Sequence, residues 1–332
     1  MVLYGILVAL SAVIVGVYAV WNLTVRPPEI PQEPDPAPPA GSGSQAAEPV
    51  EQEQPAGRQR REDVYNFVLL GRDRESANTD TIIVVSYDVA NQKVGMISIP
   101  RDTAVNRDWR KDPKINGAYA GAGVDVLKEE IEQTFGIPID YYIYVDLKGF
   151  VALVDELEGV DVYIPEEMNY DDPYQDLHIH YTKGQHHLNG QQAMEVVRFR
   201  HNNDGSGYTD VGRAEMQRQV LVALAKKVVS WNSLTKVQEF VEIFQEYVKT
   251  DLSTTDMLYF ASQAVGVDLD TGITQGTLEG RGEGVVRGYK YCFVFQAEDI
   301  LPTLNELVNP YDQPLTEEDL DLPRAEIGRA HV

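Results

Sequence analysis

Arginines are concentrated in one short stretch of an otherwise acidic chain. Arg198, Arg200 and Arg213 lie within "VRFRHNNDGSGYTDVGR", whereas the whole chain of 332 residues has a formal net charge of −24. Arg198 and Arg200 are two positions apart and would diverge on a continuous helix, so we predict that a helix ends here and that Arg213 opens the next one. Guanidinium groups match phosphate oxygens, and the N–H groups at a helix start favour an anion. The stretch therefore predicts an anion site.

Further polar side chains follow the ends of predicted strands. Asp73 and Asp80 flank a polar loop, Arg101 and Asp102 follow the strand "KVGMISIP", and Lys114 comes shortly after. Carboxylates in such positions can hold Mg²⁺ together with phosphate oxygens, and open α/β sheets usually place ligands at the carboxyl ends of their strands. Composition alone favours turn capping for the two aspartates and a weak local ion pair for Arg101. Taken with the arginine cluster, however, the set suggests a site for a diphosphate and a metal ion.

Two other groups of residues receive less specific interpretations. Five of the six histidines lie between His178 and His201, and they could bind a metal ion. No nearby spacing of Asp, Glu or His completes a recognised site, so we expect exposed loop histidines. Arg218 is interpreted as an ordinary residue on a helix surface. The sequence contains neither a G-x-S-x-G elbow nor a Walker A motif.

The elements that must position these residues alternate between strands and helices from Asp63 onwards. Strands are predicted at 65–71, 81–88, 93–100, 141–147 and 160–165, and helices at 123–136, 149–159, 188–199, 211–231, 233–249, 254–265 and 297–308. Residues 272–280 and 287–295 are expected to pair as a hairpin. This alternation predicts one α/β domain over residues 63–310, followed by an acidic tail over residues 311–332.

The N-terminal segment has a different composition. Residues 2–21 carry no charge and are long enough to span a bilayer as a helix, so residues 1–25 are predicted to form a transmembrane anchor. The alternative is a cleaved signal peptide, but no basic region precedes the apolar run. Nine prolines between Pro27 and Pro55 predict an extended linker over residues 26–62.

Charge and cysteine content exclude some classes of function. The acidic balance argues against general binding of nucleic acids, whose phosphate backbones require a broad cationic surface. It does not exclude a local cationic pocket for one phosphate group. Cys292 is the single cysteine, so no disulfide can form within the chain.

As an ordered set, the motifs resemble the LytR-CpsA-Psr family. The segments that carry the resemblance are "NFVLLGRD…TDTIIVVSYD", "VGMISIPRDTAV", "KINGAYAGAG", "YYIYVDLKGFVALVDELEGVDV", "KGQHHLNGQQAMEVVRFR" and "DVGRAEMQRQVL", from about Tyr65 to Leu224. The resemblance implies a three-layer-like α/β fold with a mixed central β-sheet flanked by helices, preceded by one N-terminal transmembrane helix. It also implies a single-pass protein of the cell membrane with an extracytoplasmic catalytic domain.

The activity implied by the resemblance is a Mg²⁺-dependent phosphotransfer. A glycopolymer would move from a polyprenyl-pyrophosphate carrier to peptidoglycan, with formation of a phosphodiester. By motif position, Arg101, Lys114, Arg198, Arg200, Arg213 and Gln217 match the pyrophosphate-binding region, and Asp73 and Asp80 match the Mg²⁺-associated aspartates. Asp73, Asp80 or Asp102 would assist deprotonation of the acceptor. The sequence departs from the family at Asn78 and Met216, where many members have arginine.

Two alternatives remain open at this point. One is a non-catalytic module that binds polyprenyl lipids, which predicts binding without turnover. The other is a pyrophosphatase that hydrolyses the lipid carrier, which predicts cleavage with water as the acceptor. The sequence does not identify the glycopolymer, which would be a teichoic acid, a capsule or another wall polymer.

Overall fold

A mixed sheet with helices on its faces forms the centre of the molecule in the computed structural model, which describes residues 26–30, 58–72, 78–174, 177–208, 210–229, 242 and 244–325. The strands of these residues are β1 (Val64–Arg72), β2 (Thr81–Asp88), β3 (Lys93–Ser98), β4 (Tyr141–Asp146), β5 (Val160–Ile164), β6 (Met168–Asp172), β7 (Leu177–Tyr181), β8 (Gly184–Leu188), β9 (Val248–Thr250), β10 (Ile273–Thr277), β11 (Arg281–Val286) and β12 (Tyr289–Val294). The helices are α1 (Ala118–Ala122), α2 (Val124–Phe135), α3 (Leu147–Glu156), α4 (Gly190–Arg198), α5 (Asp210–Val229), α6 (Thr254–Ala264) and α7 (Ala297–Leu307), with 3-10 turns at Ile115–Gly117 and Glu317–Asp319.

The central sheet has the strand order β10-β3-β2-β1-β4-β9 within the described residues. β1 is antiparallel to β2 and parallel to β4. β3 is antiparallel to β2 and parallel to β10, and β9 is antiparallel to β4. The α/β architecture expected from the alternation of elements and the mixed central sheet implied by the resemblance are therefore both confirmed.

Helices cover both faces of this sheet. On one face, Leu127 and Ile131 of α2 and Leu304 of α7 are fully buried against the apolar side chains of the central strands. On the other face, Tyr259 of α6 packs edge-on against Tyr65 of β1. Because side chains of a strand alternate between faces, the same strands supply both cores, and the molecule has three layers.

A second apolar cluster lies beside the central sheet. It is built from α3, α4 and α5 together with two antiparallel strand pairs, β5 with β8 and the hairpin of β6 with β7. Helix α4 begins with a capping box, in which Asn189 and Gln192 each accept a hydrogen bond from the other's backbone N–H, at 2.9 and 3.0 Å. Gly190 allows α4 to approach α3 closely, since a Cβ there would lie 2.1 Å from the Val151 carbonyl oxygen. The second cluster therefore brings the end of α4 and the start of α5 close to the ends of the central strands.

The predicted hairpin between residues 272–280 and 287–295 is wrong. β10 instead pairs in parallel with β3 and extends the central sheet, while β11 pairs with β12. The physical reason is local: Arg287 and Gly288 both have positive φ, 53° and 80°, as a two-residue hairpin turn requires. That turn joins β11 directly to β12 and leaves β10 available for the open edge of β3.

Two further expectations need correction. Residues 177–188 contain β7 and β8, so His178, His180, His186 and His187 lie on strands rather than in a loop; alternate residues such as Leu177 and Ile179 are buried, which holds the segment in extended form. The helix predicted at 233–249 falls mostly outside the described residues. Of its described positions, residues 242 and 244–247 are helical as predicted, and only the last two, 248 and 249, belong to β9 instead.

Both ends of the described chain pack against the domain. Residues 311–325, which were predicted to form an acidic tail, place Leu315 in the main core with 3% exposure. Arg58 forms an ion pair with Asp319, and the Tyr65 hydroxyl donates a hydrogen bond to the Pro28 carbonyl oxygen. Among the residues described, no helix has both the length and the apolar character needed to cross a membrane. The predicted anchor over residues 1–25 lies outside these residues.

Candidate active site

A cavity of about 420 Å³ lies between the ends of central strands β1, β2 and β4 and the second apolar cluster. Its walls come from β1, β2 and β4, from α3, α4 and α5, and from the hairpin of β6 and β7. The polar and charged residues of its lining are Asp80, Thr81, Arg101, Asp146, Tyr170, Arg198, Arg200, His201, Arg213 and Gln217. The remaining lining is almost entirely aliphatic, apart from Gly71 and Phe150.

The end of α4 explains why Arg198 and Arg200 reach the same cavity. Arg198 is the last helical residue, and Phe199 is extended, with φ −58° and ψ 133°. Phe199 is fully buried and stacks edge-on with Tyr208. Because side chains two apart in extended backbone point to the same side, both arginines line the cavity. The predicted helix end between them is confirmed.

Helix α5 supplies a further part of the polar wall. Arg213 lies in its first turn and lines the cavity, as predicted. One turn further on, Gln217 Nε2 donates to the Val197 carbonyl oxygen at 3.3 Å, and the Thr81 hydroxyl donates to Gln217 Oε1 at 3.3 Å. Gln217 therefore links the last turn of α4 to the start of β2, between Arg198 and Asp80.

Arg101 stands between two carboxylates. Its Nη1 lies 2.9 Å from Asp80 Oδ1, and its Nε lies 3.4 Å from Asp102 Oδ2. Burial lowers the pKa of Arg101, but the hydrogen bond with Asp80 and the charge of Asp102 outweigh it and raise that pKa above its usual value. Lys114 Nζ lies 2.9 Å from Asp102 Oδ1, so an alternating line of charges runs from Lys114 to Asp80.

The "KIN" segment holds the two polar loops together through its backbone. The Asn116 N–H donates to the Arg101 carbonyl oxygen at 3.2 Å, and the Asn116 carbonyl accepts from the Thr79 N–H at 3.1 Å. Arg107 connects this segment to α2, because its Nη2 donates to the Lys114 carbonyl oxygen and to Glu130 Oε2, at 3.0 and 2.7 Å. The pair of Arg107 and Glu130 is buried, and no sequence motif pointed to it.

The interpretation of Arg218 as a residue on a helix surface is wrong. It is 3% exposed, and burial lowers the pKa of its guanidinium group. The group donates to Ser98 Oγ at 2.7 Å, and to Gln275 Oε1 and Thr277 Oγ1 at 3.2 Å each. Since α5 packs on both the second cluster and the sheet edge, a residue outside its apolar stripe is still buried. Arg218 thus fastens α5 to the ends of β3 and β10.

The apolar part of the cavity lies further along the same helix. Leu221 and Leu224 line it, eight and eleven residues after Arg213. At 1.5 Å per helical residue, these positions are about 12 and 16 Å from Arg213 along the axis. Phe150 and Leu153 of α3 also line the cavity. The cavity therefore has a cationic end and an apolar end.

The structure brings most of the predicted site residues together. Asp80, Arg101, Arg198, Arg200, Arg213 and Gln217 all line the cavity, and Asp102 and Lys114 are joined to Arg101 by ion pairs. Asp73 lies outside the described residues. The aliphatic lining was not identified residue by residue from the sequence, because its members come from six separate elements.

The described donor set fits a hard divalent cation that is held mainly by phosphate. Mg²⁺ usually takes one or two protein carboxylates and completes its shell with phosphate oxygens and water. Asp80 places one carboxylate at the cationic end, beside Arg101. Its surroundings therefore suit Mg²⁺ when an anionic ligand is also present.

Comparison with known proteins supports the likeness suggested by the motifs. The LytR_cpsA_psr family model matches residues 40–308. Regulatory protein MsrR of Staphylococcus aureus is 33% identical over 192 residues, covering 56% of this chain and 56% of MsrR. The chain thus spans little more than half of that relative.

Two further matches cover more of the chain. Polyisoprenyl-teichoic acid–peptidoglycan teichoic acid transferase TagU of Oceanobacillus iheyensis is 34% identical over 245 residues, which is 71% of this chain and 73% of TagU. The crystal structure of TagV from B. subtilis superposes with a TM-score of 0.63 at 28% identity, covering 73% of this chain and 94% of TagV.

Proposed function

The chain belongs to the LytR-CpsA-Psr family, and we propose that it is a phosphotransferase that moves a glycopolymer from a polyprenyl-pyrophosphate carrier to peptidoglycan. The observation that carries the proposal is that one cavity has both an aliphatic end and an arginine-rich end. A polyprenyl pyrophosphate has a matching apolar tail and an anionic head group. The name of the relative TagU describes a transfer of this class.

The donor would bind with its tail among the aliphatic side chains and its pyrophosphate among the arginines. Arg101 would approach from the end of β3, and Arg198 and Arg200 from the end of α4. Guanidinium groups can donate paired hydrogen bonds to phosphate oxygens, which fixes the orientation as well as offsetting the charge. The line of Lys114, Asp102 and Arg101 holds the Arg101 side chain in place before the donor arrives.

The proposed reaction is one displacement at phosphorus. A sugar hydroxyl of peptidoglycan forms a bond to the phosphorus that carries the glycopolymer, and the bond from that phosphorus to the bridging oxygen breaks. Polyprenyl phosphate leaves with the bridging oxygen, and the hydroxyl proton passes to a carboxylate, for which Asp73, Asp80 and Asp102 are the candidates. The arginines would stabilise the charge that develops on the phosphoryl oxygens.

Mg²⁺ is proposed as the cofactor, held by Asp80 together with Asp73. When bound, it would neutralise charge on the pyrophosphate and so favour departure of polyprenyl phosphate. We also propose that residues 1–25 anchor the chain in the cell membrane by a single span, with the catalytic domain extracytoplasmic. That placement would give the cavity access to both the lipid-linked donor and the cell wall.

The proposal is tested by incubating the full chain with a glycan-labelled lipid donor, Mg²⁺ and peptidoglycan. The expected result is label bound to peptidoglycan through a phosphodiester, with polyprenyl phosphate as the second product. Release of free glycan phosphate and polyprenyl phosphate with water as the acceptor would instead indicate a pyrophosphatase. Tight binding of the donor without any product would indicate a lipid-binding module. Either of these outcomes would overturn the transferase assignment.

A further inference from the structure

A second group of chemically reactive side chains lies away from the cavity, on the outer face of the hairpin formed by β6 and β7. Asp171, His178 and His180 are exposed, and one ligand atom of each lies within 4.8 Å of the others. Asp171 pairs directly with His178 across the two strands, and Asn169 pairs with His180. Because alternate residues share a face, all four side chains are on one side of the hairpin. The sequence did not reveal this group, since its carboxylate comes from the neighbouring strand.

Both ring nitrogens of His180 lie next to side-chain oxygen atoms. Its Nδ1 lies 2.9 Å from Asn169 Oδ1, and its Nε2 lies 3.2 Å from Asp171 Oδ1. When Nδ1–H donates to Asn169, Nε2 of the neutral ring carries a lone pair that faces a carboxylate oxygen. Nδ1 of His178 lies 2.6 Å from the same oxygen. A cation between these atoms, either a second proton on the ring or a metal ion, removes the repulsion.

We propose that Asp171, His178 and His180 bind one divalent transition-metal ion of the Zn²⁺ class. Imidazole and carboxylate ligands suit Zn²⁺, whereas Mg²⁺ and Ca²⁺ prefer oxygen ligands only. Tetrahedral ligands at 2.0–2.1 Å from Zn²⁺ lie roughly 3.3 Å from one another, close to the spacing between His180 and Asp171. One ring nitrogen of His178 lies within 4.8 Å of the other two ligand atoms and would be the third protein ligand, and a water molecule would take the fourth position.

Asn169 acts as a positioning residue for this ion. A histidine that binds a metal usually donates its other ring N–H to a fixed acceptor, which sets the tautomer and the ring orientation. Asn169 Oδ1 is such an acceptor for His180. The backbone N–H of Asn169 in turn donates to Asn202 Oδ1 at 2.7 Å, so the loop after Arg200 is attached to the same strand.

The location of the ion gives it a structural consequence. Tyr170 and Leu177 lie on the opposite face of the hairpin and line the cavity. The backbone N–H of Asp171 also donates to Asn203 Oδ1 at 3.2 Å. An ion that joins β6 to β7 would therefore stiffen both the cavity wall and the loop that carries Arg200. The proposed ion site is separate from the polar lining of the cavity and does not depend on the proposed transferase activity.

The test uses the tag-free full chain in detergent solution, with Co²⁺ as a spectroscopic probe in metal-free buffer at pH 7. We expect one Co²⁺ per chain, with visible d–d absorption that Zn²⁺ abolishes by displacement and that excess Mg²⁺ leaves unchanged. His180→Ala and Asp171→Asn are each expected to weaken binding by at least about tenfold, and Asn169→Ala by about tenfold. Circular dichroism checks that each variant is folded.

The matched control is the double variant His186→Ala/His187→Ala, which removes one half-buried and one exposed histidine from β8, the next strand in the chain. Its Co²⁺ affinity should equal that of the unchanged chain. The proposal is overturned if the unchanged chain does not bind Co²⁺ with a stoichiometry of one, or if His180→Ala binds as tightly as the unchanged chain. It is equally overturned if the control loses as much affinity as His180→Ala, because the metal would then bind to histidines in general.

Discussion

Asp80 and Arg101 form an ion pair between two neighbouring strands, with Arg101 Nη1 2.9 Å from Asp80 Oδ1. Asp80 immediately precedes β2, and Arg101 follows β3. Because β2 and β3 are antiparallel, with Ile83 opposite Ser98, the start of one strand lies beside the end of the other. The ion pair holds the Arg101 guanidinium group at the cationic end of the cavity before any anion binds. An arriving pyrophosphate would share or replace these carboxylate contacts.

The first prediction concerns the shape of the Arg101 side chain. Arg101→Ala should lower kcat/KM of the proposed transfer by about a hundredfold, because a contact to developing phosphoryl charge is lost. Arg101→Lys keeps the charge but loses the planar fork, and it should lower kcat/KM by about tenfold. Initial rates with labelled donor measure both effects. Equal rates for Arg101→Lys and the unchanged chain would show that only charge matters at this position.

The second prediction compares the effect of losing Arg198 and Arg200, at the end of α4, with the effect of losing an arginine elsewhere on the surface. Arg198→Ala/Arg200→Ala should abolish measurable transfer and weaken binding of a polyprenyl pyrophosphate by more than about tenfold. Arg281→Ala removes a positive charge at an exposed position of β11 that is not part of the cavity lining, and it serves as the control. Isothermal titration with the pyrophosphate and with the corresponding prenyl alcohol gives the measurement. If the alcohol loses as much affinity as the pyrophosphate, the arginines do not recognise phosphate.

The sequence could predict the site residues that follow local patterns. Arg101 was placed correctly because strand ends are visible in the sequence, and the helix end between Arg198 and Arg200 follows from their spacing. The roles of Gln217 and Arg218 could not be predicted in the same way. Their partners are Val197, Thr81 and Ser98 on other elements. Such contacts depend on how α5 crosses the sheet edge, which no local pattern specifies.

The hairpin of β6 and β7 could not be predicted from the sequence, for a different reason. "LHIHY" has the alternation of a strand, with Leu177 and Ile179 buried and His178 and His180 exposed. The polar composition of the surrounding segment favoured a loop instead, because each strand is only five residues long. Pairing between the strands decides their conformation, and pairing is a long-range property. The same pairing brings Asp171 to the histidines.

The third prediction concerns the apolar end of the cavity. Leu221→Gln should weaken binding of a long-chain polyprenyl pyrophosphate by about tenfold, because an amide would be buried against the tail without a partner. Leu221 lies about 12 Å along α5 from Arg213, so a short-chain analogue whose tail does not reach it should bind normally. Normal binding of the short analogue also shows that the variant is folded.

The control for that substitution is Val265→Gln, since Val265 is an exposed apolar residue with 50% exposure and is absent from the cavity lining. It should bind both analogues like the unchanged chain. Equal losses for the long and short analogues in Leu221→Gln would contradict the placement of the tail along α5.

The fourth prediction concerns Arg218, which we interpret as a positioning residue. Arg218→Met should lower the free energy of unfolding by about 2 kcal/mol, because three charge-assisted hydrogen bonds are lost and their acceptors stay buried. Urea denaturation measures this change, with Arg281→Met as the exposed control. A variant at least as stable as the unchanged chain would show that burying the cation costs more free energy than its hydrogen bonds return.

The last prediction is a pH dependence at the end of the described chain. The hydrogen bond from Arg58 holds the pKa of Asp319 at about 2, below the value of about 3.9 for an unfolded aspartate. Between these values the unfolded chain binds a proton that the folded chain does not. The stabilisation is therefore complete well above pH 4 and is lost as the pH falls towards 2.

Asp319→Asn removes this contribution, which we expect to be about 1 kcal/mol because both side chains are partly exposed. Urea denaturation at pH 7 and pH 3 gives the difference between the unchanged chain and the variant at each pH, and that difference should be smaller at pH 3. Asp270→Asn is the matched control, since Asp270 pairs with Lys226 while 83% of its side chain is exposed. A difference that does not change with pH, or an equal effect in the control, would show that the contact between Arg58 and Asp319 does not stabilise the fold through its charge.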